Sequence, residues 1–287
     1  MSFRAISIDA YVRPDAGPTP GPAPMLQWLD VTDLVVDDRY QRPIYGAGLK
    51  NVRAIAANFQ WSRFAPLIVA PVEGGRFAII DGQHRATAAM LCGIDQVPAQ
   101  VITADAGDQA AAFRAINGQV TRIHSLAVQH AALMAGDAAA IAIRDACAAA
   151  GVTILRYPVA ASMLKPGETL ALGAISDGLR LYGREVVVQA LFCVTETGNN
   201  QPGRLAAANI KAICSVLAAH ARWRGRGEGL LRAFDDIDLE IELDEARVTR
   251  RAKGVALWEV LAERIRVALA EALDGVPGGV MAGDVAA

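Results

Sequence analysis

The hydrophobic pattern of this chain changes period once, near Ser125, and that change restricts it to a two-part fold. Up to that point short apolar runs of strand length alternate with amphipathic segments. Residues 66–72 (PLIVAPV) and 76–80 (RFAII) flank Glu73-Gly74-Gly75, a hairpin signal. Val52, Ile55, Ala56 and Phe59 recur at helical spacing within residues 47–60. Further strands are expected at 28–36, ending in a turn at Asp37-Asp38, and at 97–103, with helices at 83–92 and 107–116. After Ser125 the pattern is helix upon helix, expected at 126–135, 137–150, 170–182, 184–195, 205–221 and 252–273. The fold class is α+β: a small mixed sheet followed by an all-α domain. The boundaries expected are an arm and Pro-rich linker over 1–25, the α/β domain over 26–125, the helical domain over 126–274, and a flexible tail over 275–287.

Residues 3–12 place Ile6, Ile8, Ala10 and Val12 on one face of a period-2 pattern, the signature of a short strand. The segment after it, 14–24, holds five of the 13 prolines and reads as an extended spacer.

Hydrophobic residues make up 53% of the 287, ample for packed cores, while the formal net charge is only −2. Bulk charge therefore offers no general affinity for polyanions, and nucleic-acid binding would have to come from a local patch. The two basic clusters, Arg222 to Arg226 and Arg247 to Lys253, flank an acidic run from Asp235 to Glu245, a mixture typical of a solvated, salt-bridged surface. No apolar run reaches membrane-spanning length, and residues 1–13 carry no signal-peptide pattern, so a cytoplasmic protein without a membrane partner is expected. Cys92, Cys147, Cys193 and Cys214 have neither metal-ligand nor disulfide-framework spacing and read as small buried or half-buried apolar side chains.

The chemistry concentrates in Ile79-Ile80-Asp81-Gly82-Gln83-His84-Arg85. A buried strand ends, a glycine turns the chain, and a helix starts, which aims unpaired N–H groups and the positive end of a helix dipole at one spot. Cations in a first helical turn are unfavourable by roughly 0.3–1 kcal/mol, so His84 and Arg85 make sense if an anion binds there. Arg85 equally suits an ion pair with Asp81 in a purely structural turn, and spacing alone leaves the two readings level. Asp81 could cap the helix or hold a ligand hydroxyl or a Mg²⁺-bound water, and Asp81 and His84 are the candidate acid/base groups.

These residues resemble the N-terminal domain of ParB partition proteins, within the ParB/sulfiredoxin-like superfamily. Gln41-Arg42-Pro43 is similar to the family's first box, Pro66-Leu67-Ile68-Val69 to its strand, and Gly82-Gln83-His84-Arg85-x-x-Ala88 to its G-E-R-R-x-R-A loop. Cys92-Gly93-Ile94 and Val97-Pro98-Ala99 follow as that pattern requires. Asn117 and Gln119 resemble the family's E-N-(I/L)-Q-R segment, with Arg122 displaced by two positions; Asn117-Gly118 is also a plain helix C-cap. The resemblance implies that Gln41, Arg42, Gly82, Gln83, His84, Arg85, Gln119 and Arg122 bind a nucleoside triphosphate. It implies Mg²⁺ on Asn117 and CTP ahead of ATP. Gln83 stands where sulfiredoxins carry their catalytic cysteine, which removes that activity. The function expected is a nucleotide-binding partition or regulatory factor with a nucleotide-gated helical domain, a DNA partner and room for a homodimer. The alternatives are an enzyme on the same scaffold (CTPase, ATPase, nuclease or phosphotransferase) and an interaction module with a vestigial site.

Overall fold

The structure is a computed structural model that describes residues 3–13, 15–17, 19–41, 43–118 and 123–275. The chain divides into two compact units, Met1–Thr121 and Arg122–Ala287.

The first unit is built on a mixed five-stranded sheet: β1 (Met25–Asp30), β2 (Leu34–Val35), β3 (Leu67–Val72), β4 (Arg76–Asp81) and β5 (Gln96–Val101), in the order β1-β5-β3-β4-β2. β3 and β4 form the expected antiparallel hairpin, joined by a 3-10 turn over Glu73–Gly75 in which Gly74 has φ 78°. β1 runs antiparallel and β3 parallel to β5, and β2 pairs parallel with β4. The single strand expected over 28–36 is thus two short ones on opposite edges of the sheet, so a 3-10 turn at Val31–Asp33 has to redirect the chain between them. Helices α1 (Ala47–Ala57), α2 (Gln83–Leu91) and α3 (Ala106–Gly118) complete the unit. Leu67, Val69, Ile79, Val97, Ala99 and the α2 residues Ala86 and Ala89 form its core.

Two expectations for this unit are corrected. Residues 3–13 form no strand: they are exposed, turning at Ile8–Tyr11 through Tyr11 N–H to Ile8 O at 2.9 Å, because no neighbouring backbone pairs with them. Cys92 is exposed rather than buried, just past the end of α2.

The second unit is helical: α4 (Ser125–Met134), α5 (Ala138–Ala149), α6 (Leu172–Thr195), α7 (Ala207–Ala219), α8 (Ala221–Arg224), α9 (Glu228–Asp235), α10 (Leu239–Lys253) and α11 (Leu257–Asp274). A two-stranded parallel ribbon, β6 (Thr153–Ile154) with β7 (Glu168–Thr169), lies between α5 and α6. Gly183, at φ 82° and ψ 170°, breaks α6 between the two segments that the sequence separates. The helix expected over 252–273 begins instead at Leu257, because Gly254 adopts φ 66° and ends α10. The tail beyond residue 275 lies outside the described residues. Ile175, Leu191, Ile210, Ile213, Leu217, Phe234, Leu261 and Ile265 are fully buried in the core of this unit. No single helix among the described residues is long and apolar enough to cross a membrane.

Arg222 and Arg224 of the first basic cluster, and Arg247 of the second, are held by internal contacts. Trp223 is buried and its indole N–H donates to Asp274 Oδ2 at 2.9 Å, which also accepts from Arg222 at 2.7 Å. Arg224 donates to Leu217 O. The acidic run holds Arg264 through Glu242 and Glu245, and Arg204 through Glu240.

Asn199, in the loop between α6 and α7, ties three backbone groups together. Its Nδ2 donates to Phe234 O at 2.9 Å and Ile237 O at 2.8 Å, and its Oδ1 accepts from Leu239 N at 3.1 Å. Asn199→Ala leaves those groups without partners inside a buried junction, so we expect a loss of roughly 2–4 kcal/mol, measured by urea unfolding.

Candidate functional site

The site begins where β4 meets α2. Asp81 ends the strand, and Gly82 turns the chain at φ 104° and ψ 14°, a conformation that L side chains rarely adopt. A Cβ there would also stand 2.5 Å from Leu67 Cδ2 and 3.0 Å from Arg85 Nη2, so both the dihedral and the space demand glycine. Ala86 N donates to Gly82 O at 2.9 Å, the first bond of the helix. No side chain caps α2 and no acidic residue occupies its first turn. The N–H groups of Gln83, His84 and Arg85 are left to the space in front of them.

A second helix start faces the same space. Gly46, at φ 55°, precedes α1, which likewise has neither a capping side chain nor an acid in its first turn. The two helices approach closely here: a Cβ on Gly48 would stand 3.0 Å from His84 Nε2 and 3.2 Å from Ile44 Cγ2. Between them opens a cavity of about 970 Å³, lined by the 40–48 segment, Asn51 and Ile55 of α1, Ile80 to Arg85, and Phe113 and Asn117 of α3.

Of the residues that the sequence marks, Gln41, Asp81, Gly82, Gln83, His84, Arg85 and Asn117 all line this one cavity. Arg42, Gln119 and Arg122 lie outside the described residues. Gln41 is buried and its amide donates to Ile79 O at 2.8 Å, so it pins the 40–48 segment to the end of β4. The turn before it is held by Asp37, whose carboxylate accepts from the Arg39 side chain and backbone, contacts that keep its pKa at about 2. Arg85 Nη2 donates to Asp81 Oδ2 at 3.1 Å and to Pro66 O at 3.3 Å. The ion pair of the structural reading is therefore formed, while Arg85 Nε is buried with no acceptor. Such an orphaned donor at a cavity wall fits a site that gains an acceptor on binding. Asn117 Nδ2 donates to Phe113 O at 3.0 Å, which leaves its Oδ1 without a protein donor among the described residues.

The α1 side of the cavity was not marked by the sequence reading. Its signal was present in Tyr45-Gly46-Ala47-Gly48, a glycine-flanked helix start with no Ser, Thr, Asp or Asn to cap it. Tyr40 and Phe113 add an aromatic wall, their rings 5.4 Å apart. Burial raises the Tyr40 pKa above its ordinary value.

Residues 42–117, which run from the 40–48 segment through α1, β3, β4, α2 and β5 to Asn117, match the family model of the ParB N-terminal domain. The chain carries a ParB-like N-terminal domain. No curated protein matches it in sequence. Among solved structures, the crystal structure of the C-terminally truncated chromosome-partitioning protein ParB from Caulobacter crescentus complexed with CTP-gamma-S is similar at 17% identity, over 70% of this chain and 99% of that one, with a TM-score of 0.34. At so low a TM-score, the likeness rests on the family match over 42–117.

The ParB-like domain depends locally on Gly82. Gly82→Ala places a methyl against Leu67 in a strained conformation, and we expect a loss of roughly 2–4 kcal/mol, read as a lowered thermal midpoint. Gly93, at φ 69° with nothing near its Cβ position, is the control: Gly93→Ala costs about 1 kcal/mol.

Proposed function

We propose that the cavity of the ParB-like domain binds the triphosphate of a nucleotide together with Mg²⁺, CTP ahead of ATP, and that the protein is a cytoplasmic partition or regulatory factor whose helical unit responds to the nucleotide. The observation that carries this reading is the meeting of two uncapped helix N-termini in one cavity, with Arg85 beside them and Asp81 as the only carboxylate among the lining residues. Each helix end presents roughly half a positive charge, and backbone N–H groups aimed at one space suit phosphate oxygens. Gln83 and His84 are in the α2 first turn, where their N–H groups reach a phosphate, while Gly46 and Gly48 let the chain approach it from the other side.

Mg²⁺ fits this donor set as a partner of the phosphates rather than as a caged ion. No group of three or more His, Cys, Asp or Glu among the described residues could hold a metal. The oxygens available include Asn117 Oδ1 and the Asp81 oxygen that Arg85 leaves free. Mg²⁺ characteristically takes one or two protein oxygens and fills its octahedron with phosphate oxygens and water. When bound, it would neutralise phosphate charge; Arg42, Gln119 and Arg122 would act from flanking positions in the sequence.

Titration calorimetry with the four ribonucleoside triphosphates and Mg²⁺ tests the reading, with CTP expected to bind tightest. Arg85→Ala should bind it roughly tenfold to a hundredfold more weakly, the equivalent of about 1.5–3 kcal/mol for a hydrogen bond to a charged group. Equal affinity for the variant and the native chain removes the loop from the site.

The gating part of the reading rests on the short connection between Asn117 at the cavity and Ser125, the first residue of α4. A ligand shifts a conformational equilibrium only by its differential affinity for the two states. Hydrogen exchange of α4 should therefore slow when CTP and Mg²⁺ saturate the protein; unchanged exchange means that the helical unit is indifferent to the site. DNA binding, if it belongs to the function, falls to the helical unit, where Arg222 and Arg224 are already held by internal acceptors.

A further inference from the structure

The period-2 segment at the N-terminus is left without a role by the cavity. Phe3, Ile6 and Ile8 are exposed, Ile6 completely at 100%, and residues 3–8 precede the turn at Ile8–Tyr11. At the other end of the spacer stands β1, which pairs with β5 on one side and is the edge of the sheet on the other. Edge strands of stable monomers carry Lys, Pro or bulges that discourage further pairing. β1 (MLQWLD) has no Lys, Pro or bulge, and its lone charge is at its end. Leu26 and Trp28, on the same strand face, are 75% and 56% exposed, and Trp28 makes a T-shaped contact with Trp61, centroids 5.3 Å apart.

We propose that residues 3–8 of one chain add as an antiparallel strand to the free edge of β1 in a second copy, and that the two copies exchange these arms. One register matches residues 4–8 to β1, with Phe3 running past its end at Val31. With Ile6 opposite Trp28, Ile8 falls opposite Leu26 and Arg4 opposite Asp30, all on the exposed face. The small residues Ala5 and Ser7 then fall beside Leu29 and Gln27 on the other face, where Leu29 is buried. Asp30 Oδ1 accepts from Gln96 at 2.8 Å, which leaves its second oxygen for Arg4. A slip by one residue would put Ala5 and Ser7 against the exposed apolar side chains and turn Ile6 and Ile8 to the wrong face. Aromatic and β-branched cross-strand pairs of this kind stabilise a sheet edge, and main-chain bonds to the free edge supply the affinity of strand addition.

The spacer favours a second copy over the same chain. Residues 14–24 hold five prolines, and Pro-rich chain extends by about 3.1 Å per residue, enough to carry the arm on the order of 30 Å from its own β1. Mutual exchange of identical elements gives a closed two-fold dimer.

Sedimentation velocity over a concentration series tests the proposal on the full chain, on a chain lacking residues 1–13, and on Ile6→Asp. The full chain is expected to dimerise, and both variants to dissociate at least tenfold more readily with unchanged circular dichroism. In a Cys92→Ser background, the pair Ile8→Cys and Leu26→Cys is expected to form a disulfide between chains, seen as a band of doubled mass on a non-reducing gel. A full chain that stays monomeric, a dimer indifferent to the arm, or a disulfide that is absent or closes within one chain overturns it.

Discussion

The first unit depends on one close approach, the backbone of Gly82 against the side chain of Leu67. Only a residue without a Cβ lets β4 end under the β3 side chain and turn at once into α2. That turn settles three things together. It directs the α2 N-terminus into the cavity. It lays Arg85 back across Asp81 and Pro66 O. It also brings His84 against Gly48, so that α1 and α2 open on the same space. The site is therefore a consequence of the strand–helix junction rather than a set of side chains added to it.

Leaving α1 and α2 uncapped has a stability cost. A Ser, Thr, Asp or Asn cap contributes about 1 kcal/mol, and an acid in the first turn a further 0.3–1 kcal/mol; both helices forgo both. α10, on the opposite policy, has Asp238 accepting from Glu240 N and Ile241 N and acids in its first turn. α6 and α7 in the helical unit also lack a capping side chain and a first-turn acid, so what marks the cavity is the convergence of two such helix starts, α1 and α2, on one space.

The sequence made the β3–β4 hairpin legible because its apolar runs and its Glu-Gly-Gly turn are local signals. The same holds for the Gly82 loop, whose strand, turn and helix are contiguous. The break in α6 at Gly183 was legible as well, since a glycine interrupts two periodic stretches. What failed needed tertiary information. Residues 3–12 have the period of a strand, but a strand exists only through a partner, and none is present in this fold. α9 and α10 were missed because their charged residues hid the few apolar anchors, Leu230, Phe234 and Leu239, that fix them to the core. The charge clusters around them could be read as surface but not paired, because the Arg264 contacts with Glu242 and Glu245 cross two helices. In the site, Gly46 and Gly48 carried no motif, and their role arises only from the approach of α1 to His84.

Magnitudes limit what the proposed phosphate-binding end of the cavity could do alone. Two helix N-termini contribute about 0.3–1 kcal/mol each when exposed, and an Arg–phosphate hydrogen bond about 1.5–3 kcal/mol. Their sum is about 2–5 kcal/mol, which at its most favourable corresponds to a dissociation constant of roughly 0.2 mM. Micromolar binding requires about 8 kcal/mol, so the remainder must come from the nucleoside. The cavity has the surface for it. Tyr40, Tyr45 and Phe113 line it beside Ile44 and Ile55, and stacking of a base on an aromatic side chain is worth about 1–3 kcal/mol. A site that binds a nucleotide as proposed would draw its attraction for any triphosphate from the backbone at one end and its selectivity from the aromatic wall at the other. On the proposed reading the base would be discriminated by Tyr40, Tyr45 and Phe113, with Gln41 pinned to the end of β4, and not by the Gly82 loop.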